Sequence, residues 1–263
     1  LKGHANVEIV DLPGIYSLSP YTLEEVVTRN FMFDEKPDAI INIIDSSNIE
    51  RNLYLTTQVL ELGIPTVIAL NMIDVVEKRG DVINLKKISQ LLGCPVVKTS
   101  ALKGTGTKEV ALKAIEISKN KDSNKFNMNF SNEVKSALDE IKSLIHSSNL
   151  NQIDANEQWL AIKLFERDSK LIEKINIPSE TMNKIENIVF KCEKEFDDDA
   201  EGIITAERYE FIGSIVSKII KKKDNSKHTL SDNIDKVVTN RILALPIFAL
   251  IMWGVYYIEV SSL

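Results

Sequence analysis

The chain has 263 residues, of which 44% are hydrophobic and 27% are charged, and this balance predicts a globular chain of one or two domains. Its net charge of −6, with no basic stripe carrying interleaved aromatic residues, argues against a nucleic-acid binder. Two cysteines, Cys94 and Cys192, are too few for a disulfide framework or a thiolate metal site.

Short apolar runs and amphipathic segments alternate through the first 120 residues. Strands are predicted over residues 7–10, 39–44 and 66–70 and from Val96 onwards. Helices are predicted from Thr22, from Ser47 to about Leu62, over about 84–92 and over about 107–118. Glu25 and Glu50 follow Thr22 and Ser47 by three residues, which predicts two capping boxes. Gly63 and Gly93 are the predicted C-terminal stops. Such alternation predicts a parallel sheet with helices on both faces.

Beyond the first domain the hydrophobic period becomes helical. Residues 121–131 are polar and predict a linker, whereas residues 132–225 carry apolar stripes that predict a small all-α domain. The stripes are Val134, Leu138, Ile141 and Ile145, then Met182, Ile185, Val189, Cys192 and Phe196, and finally Ile212, Ile215 and Ile219.

The C-terminal part differs in character again. Residues 226–241 read as a juxtamembrane segment, and residues 242–258 are seventeen residues without a charge. That length is near the lower limit for a membrane span, and a buried core helix is the alternative. The aromatic residues Trp253, Tyr256 and Tyr257 on one side and a lysine-rich stretch on the other favour the membrane, with residues 1–241 cytoplasmic.

Three short motifs follow predicted strands. Asp11-Leu12-Pro13-Gly14 has the D-x-x-G form, in which a carboxylate reaches Mg²⁺ through water and a glycine N–H approaches a γ-phosphate. A strand followed by Asp-x-Pro-Gly is also an ordinary turn, so this motif alone is weak.

The second and third motifs concern the base. An aspartate at 74, in Asn71-Met72-Ile73-Asp74, can accept hydrogen bonds from N1–H and the exocyclic amine of guanine, which adenine cannot match. The alternative is a helix N-cap. At Ser100-Ala101 a small residue lets a backbone N–H reach the guanine O6, and the alternative is a glycine-rich turn. The three motifs occur in the order D-x-x-G, N-x-x-D, S-A, each after a strand, which is the pattern of translation-factor-like GTPases.

Longer segments narrow this pattern to one family. Residues 11–31 and 45–74 resemble the second switch region and guanine loop of FeoB-type bacterial ferrous iron transporters, in which Met commonly stands where Met72 does. Residues 206–212, AERYEFI, resemble a signature of the family's helical domain, and TNRILALPIFALIMW resembles its first membrane span. The resemblance implies an inner-membrane protein whose cytoplasmic GTPase controls ferrous iron uptake, with a helical domain that relays nucleotide state.

The resemblance also sets the expected architecture. It implies an α/β P-loop-GTPase-like parallel sheet, incomplete at the N-terminus, then a small all-α domain and the start of a transmembrane helix. The predicted parts are a partial GTPase domain over 1–120, a linker over 121–131, a helical regulatory domain over 132–225, a juxtamembrane segment over 226–241 and the first transmembrane helix over 242–263.

The implied site follows the motifs. The candidate nucleotide-binding residues are Asp11, Gly14, Asn71, Met72, Asp74, Ser100 and Ala101. Asp11 is the candidate Mg²⁺ residue, through water. The implied ligands are GTP or GDP with Mg²⁺, and a monovalent cation is considered for the complete site. The implied partners are guanine nucleotide, the membrane and the rest of the transporter, and a homo-oligomer is considered.

Two departures from the general GTPase pattern bear on activity. No G-x-x-x-x-G-K-[ST] motif occurs in the chain, and the family places it upstream, so we expect a truncated chain that is inactive alone. Ile15 stands where many GTPases use Gln to position water, so we expect slow hydrolysis and name no catalytic residue.

Other polar residues fit no ligand pattern. The scattered His4, His146 and His228 predict structural or exposed roles, and the acidic run over 195–201 predicts a solvated loop. Two other functions stay open, a membrane-tethered interaction module with a degenerate nucleotide site and, less favoured, a soluble ribosome-assembly GTPase.

Overall fold

The computed structural model describes residues 7–19, 21–119, 126–148, 156–175, 177–221 and 244–261. The chain divides into two compact units, Leu1–Lys221 and Lys222–Leu263. In chain order the first unit contains α1 (Leu23–Asp34), β1 (Ile40–Asp45), α2 (Ile49–Glu61), β2 (Thr66–Asn71), α3 (Ile73–Arg79), β3 (Val82–Ile83), α4 (Leu85–Leu92), β4 (Val96–Lys98), α5 (Thr107–Ser118), α6 (Asn132–Ser147), α7 (Glu157–Phe165), α8 (Ser169–Lys174), α9 (Ser179–Phe196), α10 (Ala200–Ile219) and β5 (Ile220–Lys221). The second unit contains α11 (Ala244–Ser261).

The main sheet of the first unit is parallel, with strand order β1–β2–β4. Alternate residues of the central strand β2 serve opposite faces, because successive side chains of a strand point in opposite directions. Ile68 and Leu70 join a core with α2, α4 and α10, whereas Val67 and Ala69 join a core with α5. The predicted parallel sheet covered on both faces is therefore confirmed.

The helix boundaries also follow the sequence signals. Thr22 and Glu25 form the predicted capping box of α1, with both reciprocal hydrogen bonds present. The predicted stops Gly63 and Gly93 have φ angles of +78° and +67°, a conformation that glycine adopts without a steric cost. Asn84 caps α4 by accepting from the Lys87 N–H.

Two local predictions are wrong. Residues 7–10 form no strand; Ile9 and Val10 are 63% and 47% exposed, and none of the strands described in the structure pairs with them. A strand needs a hydrogen-bonded neighbour, so apolar character alone is insufficient. Ser47 does not cap α2 either. The carboxylate of Asp45 accepts from the Ser47 N–H at 2.8 Å, and a 3-10 turn over Ser46–Asn48 precedes the helix.

The all-α part agrees with two of the three predicted stripes. The first stripe is buried from Val134 to Ile145. The second ends early, because Phe196 is 38% exposed where α9 stops at Asp197, whose φ is +53°. The third stripe is buried, but it packs against the sheet domain through α2 and α4.

Helix α7 was not foreseen. Every residue from Trp159 to Phe165 is buried, so its sequence has no polar face that would reveal a helical period. The short antiparallel pair β3–β5, which joins the end of α10 to the segment after α3, was also not foreseen.

In the second unit, α11 exposes most of its described apolar side chains, for example Leu245 and Trp253 at 75% and 66%. Within the described residues, none of the helices has both the length and the apolar character that crossing a membrane requires. The transmembrane start at 242–263 and the other domain boundaries stay predictions.

Candidate functional site

The site is built where β1, β2 and β4 end. The strand register places Asp45 at the end of β1 beside Asn71 at the end of β2. The Thr99 N–H donates to the Leu70 carbonyl at 2.9 Å, which brings the end of β4 to the same edge. Ligands of open parallel sheets bind at this edge, where the loops leave the strands.

Asn71 connects two of these loops. Its side-chain Oδ1 accepts a hydrogen bond from the Ala101 N–H at 3.0 Å. The Ser46 hydroxyl donates to the Asn71 carbonyl, so the first loop is attached as well. Asn71 therefore holds the loops after all three strands at one place.

Asp74 is fixed from a neighbouring loop. It lies in the first turn of α3 and is only 8% exposed. The Ser100 hydroxyl donates to Asp74 Oδ1 at 3.0 Å, and the Lys103 ammonium lies 3.8 Å from Asp74 Oδ2. A carboxylate has about four lone-pair sites, so acceptor capacity remains for the pair of N–H donors on guanine.

Met72 shapes the entry into α3. Its φ is +58°, in the left-handed region that non-glycine residues seldom occupy, and it lies directly before the helix. Its side chain is 46% exposed. Such backbone outliers concentrate at functional sites, where the surrounding structure enforces them.

The segment with Asp11 and Gly14 forms a second part of the candidate site. Both residues are exposed, and a Cβ at Gly14 would meet no atom within 4 Å. Packing within the described residues therefore does not require a glycine there, whereas close approach of a ligand would. The segment that follows is anchored, since Gln58 of α2 accepts from the Leu18 N–H at 2.7 Å.

The structure thus joins Asn71, Asp74, Ser100 and Ala101 through hydrogen bonds and places Met72 on the same loop. Asp11 and Gly14 lie on a separate segment held by α1 and α2. Asp45 and Ser46 also lie at this edge of the sheet, and the sequence analysis did not name them as candidates. The carboxyl group of Asp45 has its pKa lowered, because burial, which raises it, is outweighed by hydrogen bonds from Ser47 and Asn48. The position of Asp45 at the end of a predicted buried strand could have indicated it.

The next question is which described residues could hold a metal ion. The described residues contain no group of three or more His, Cys, Asp or Glu side chains that could hold a metal ion. The exposed carboxylate of Asp11 fits the predicted contact with Mg²⁺ through water, which needs one acidic residue and phosphate oxygens.

The structure describes part of the other polar residues that the sequence analysis names. His146 is mostly exposed beside Glu157, whereas His4 and His228 lie outside the described residues. The acidic run over 195–201 is a loop only at residues 197–199, since Glu195 lies in α9 and Glu201 in α10. Asp199 caps α10, and Glu201 accepts from the Tyr21 hydroxyl. Burial raises the pKa of the Cys94 thiol to about 12, as expected for an inert core cysteine.

Comparison with known proteins gives matches over most of the chain. Residues 1–114 match the family described as "Ferrous iron transport protein B", and residues 130–221 match the "FeoB cytosolic helical domain". The fusion protein of Fe(2+) transport protein A and Fe(2+) transporter FeoB from Porphyromonas gingivalis is 35% identical over 95% of this chain. The Fe(2+) transporter FeoB of Escherichia coli K12 is 32% identical over 97% of it. The chain spans about a third of the length of these relatives, 31% and 32%.

Solved structures support the fold. A GDP-bound mutant of the S. thermophilus FeoB G-domain is 40% identical, with a TM-score of 0.75 over 80% of both chains. The S. thermophilus NFeoB bound to mGMPPNP is 39% identical, with a TM-score of 0.71 over 83% of this chain and 80% of that one. The chain therefore belongs to the FeoB family of ferrous iron transport proteins, as the part that contains its P-loop-GTPase-like G-domain and its cytosolic helical domain.

Proposed function

We propose that this chain is the guanine-nucleotide-binding part of a bacterial inner-membrane protein for ferrous iron uptake. In the full-length protein it binds GTP and GDP, hydrolyses GTP slowly and couples nucleotide state to transport. One observation carries the nucleotide proposal. The buried Asp74 carboxylate is fixed by Ser100, and Asn71 is bonded to the loop that carries Ala101.

The arrangement suits guanine for a physical reason. An ionised carboxylate that is preorganised accepts N1–H and the exocyclic amine of guanine together. Adenine would leave this buried carboxylate with unmatched acceptors, which costs about 1–3 kcal/mol for each unpaired buried group. The Ala101 N–H donates to Asn71 Oδ1 and so ties its loop to Asn71, and the exposed side chain of Met72 completes the candidate base site.

The phosphate part of the proposal rests on Asp11 and Gly14. Asp11 would hold Mg²⁺ through water, and this ion would neutralise phosphate charge. Gly14 has the open surroundings that let a backbone N–H approach a phosphate oxygen. Ile15 has no group that can orient water, so the chain itself contributes no side chain there to hydrolysis, and we expect a slow rate.

The membrane and iron parts of the proposal rest on the relatives, whose names are those of Fe(2+) transporters. We place the full-length protein in the inner membrane, with residues 1–241 cytoplasmic and 242–263 beginning a span. The uncharged run over 242–258 supports this placement.

The test uses the full-length protein and fluorescent GDP, with unlabelled GTP, ATP and XTP as competitors. We expect displacement by GTP but not by ATP. In Asp74→Asn, the amide can donate to the C2 oxygen of xanthine but cannot accept both guanine donors. We therefore expect GDP affinity to fall at least about 100-fold while XTP becomes the better competitor.

Glu77→Gln is the matched control, because Glu77 lies on the same helix and forms an exposed ion pair with Lys98. It should leave all affinities unchanged. A folded wild-type protein that binds neither nucleotide would instead favour a tethered interaction module.

A further inference from the structure

Lys103 belongs to the turn between β4 and α5, and the backbone of this turn is closely fixed. The Ser100 N–H donates to the Thr105 carbonyl and the Thr105 N–H to the Ser100 carbonyl, each at 3.1 Å. The Lys103 N–H donates to the same Ser100 carbonyl at 3.1 Å. These hydrogen bonds therefore fix the backbone of the turn at Lys103.

The ammonium of Lys103 lies 3.8 Å from Asp74 Oδ2, and the side chains are 56% and 10% exposed. This separation is too long for a hydrogen bond, so the interaction is that of an ion pair. Ser100 meanwhile binds the other oxygen of the same carboxylate. The Asp74 carboxylate is thus oriented from both oxygens by residues of a single turn.

The segment 71–74 contains no cationic residue, because position 72 is Met. It therefore supplies no positive charge near Asp74. The Lys103 ammonium supplies one from the opposite loop. A neighbouring cation attracts a carboxylate electrostatically and so limits the orientations that the carboxylate can take.

We propose that Lys103 is a positioning residue for guanine recognition, acting through the Asp74 carboxylate. It sets the orientation of the acceptor that reads the two guanine donors. The proposal rests on the proposed function of the site. It predicts that Lys103 influences the choice between bases, and not merely the strength of nucleotide binding.

The experiment measures dissociation constants of GDP and of IDP, whose base lacks the exocyclic amine, for the full-length protein at low and moderate salt. Lys103→Met removes the charge and keeps the length of the stem. We expect it to weaken GDP binding about three- to fivefold, as for a largely exposed ion pair. IDP binding should weaken less, because IDP presents one donor fewer, so the preference for GDP over IDP should fall.

Two variants separate positioning from general structure. Lys103→Arg retains the charge and should restore most of the preference, whereas Lys108→Met removes a lysine that lies at the start of α5 and should change nothing. Raised salt should reduce the difference between wild type and Lys103→Met.

An unchanged or tighter GDP affinity in a folded Lys103→Met variant, or an unchanged preference over IDP, would overturn this inference while leaving the proposed function intact. A wild-type protein that binds neither GDP nor IDP would overturn both.

Discussion

At the scale of single residues, backbone conformation decides how the loop of the candidate site is built. Gly106 has a φ of +81°, and a Cβ there would lie 2.1 Å from the Lys98 carbonyl oxygen. Gly104, two residues earlier in the same turn, has a φ of +66° but open surroundings. The two glycines therefore share a left-handed conformation and differ in the space around them.

We expect Gly106→Ala to lower the free energy of unfolding by about 3 kcal/mol, because both strain and a clash with backbone must be relieved. Gly104→Ala, which meets only the conformational strain, should cost about 1 kcal/mol. Urea unfolding of the chain, followed by the fluorescence of the buried Trp159, measures both. Equal losses for the two variants would show that the close contact with Lys98 has no energetic weight.

At the scale of elements, the helices differ in how their first turns are satisfied. In α1, the Thr22 side chain accepts from the Glu25 N–H, and the Glu25 carboxylate accepts from the Thr22 N–H at 3.0 Å. In α6, the N-cap residue Ser131 makes no capping hydrogen bond through its side chain. Two hydroxyl residues at the same formal position therefore do different things.

Thr22→Ala should cost about 1 kcal/mol of unfolding free energy, the usual loss when an N-cap hydrogen bond is removed. Ser131→Ala should change it by less than about 0.5 kcal/mol. Thermal and urea unfolding of both variants provide the comparison. If Thr22→Ala lowered the free energy of unfolding as little as Ser131→Ala does, the first turn of α1 would already be frayed in the wild type.

At the scale of the whole first unit, a chain of buried charges connects the sheet domain with the helical part. Arg208 of α10 pairs with Glu61 of α2 and Glu166 after α7, each at 2.8 Å. This series of ion pairs continues through Lys163 and Asp168 to Arg29 of α1. The Arg208, Glu61 and Glu166 side chains are 1%, 3% and 8% exposed, so their charges depend on one another for compensation.

We expect Arg208→Met to lower the free energy of unfolding by about 3–5 kcal/mol, because it leaves the buried Glu61 carboxylate without its cation and Glu166 with Lys163 alone. Lys184→Met, which breaks an exposed pair with Glu180, should cost less than about 1 kcal/mol. Urea unfolding at pH 7 measures both. A small loss for Arg208→Met would mean that the carboxylates take up protons or water at little cost.

The same cluster gives a pH dependence. Burial raises the pKa of Glu166, but the charges of Arg208 and Lys163 outweigh it and hold the pKa below the ordinary value of 4.5. The pKa of this group is lower in the folded than in the unfolded state, so its stabilisation is present above pH 4.5 and is lost as pH falls through the lowered pKa. In Arg208→Met this part of the acid sensitivity should diminish.

Much of this architecture could be predicted from the sequence, because its signals are local. The alternation of apolar runs and amphipathic segments predicts the parallel sheet, and Thr22 with Glu25 predicts the start of α1. The motifs with Asn71, Asp74 and Ser100 predict which side chains meet, since the ends of parallel strands lie at one edge of a sheet.

Tertiary structure decided what depends on a neighbour. Residues 7–10 carry three apolar side chains but pair with none of the described strands. Ser47 does not cap α2, and its N–H instead donates to the Asp45 carboxylate. Helix α7, which is buried from Trp159 to Phe165, shows no helical period. Lys103 approaches Asp74 from 29 positions away in sequence. Arg208 pairs with Glu61 from 147 positions away. Local pattern determined the elements and the motif residues, whereas partners distant in sequence determined the pairing, the burial and the charges, because those quantities exist only after the chain has packed.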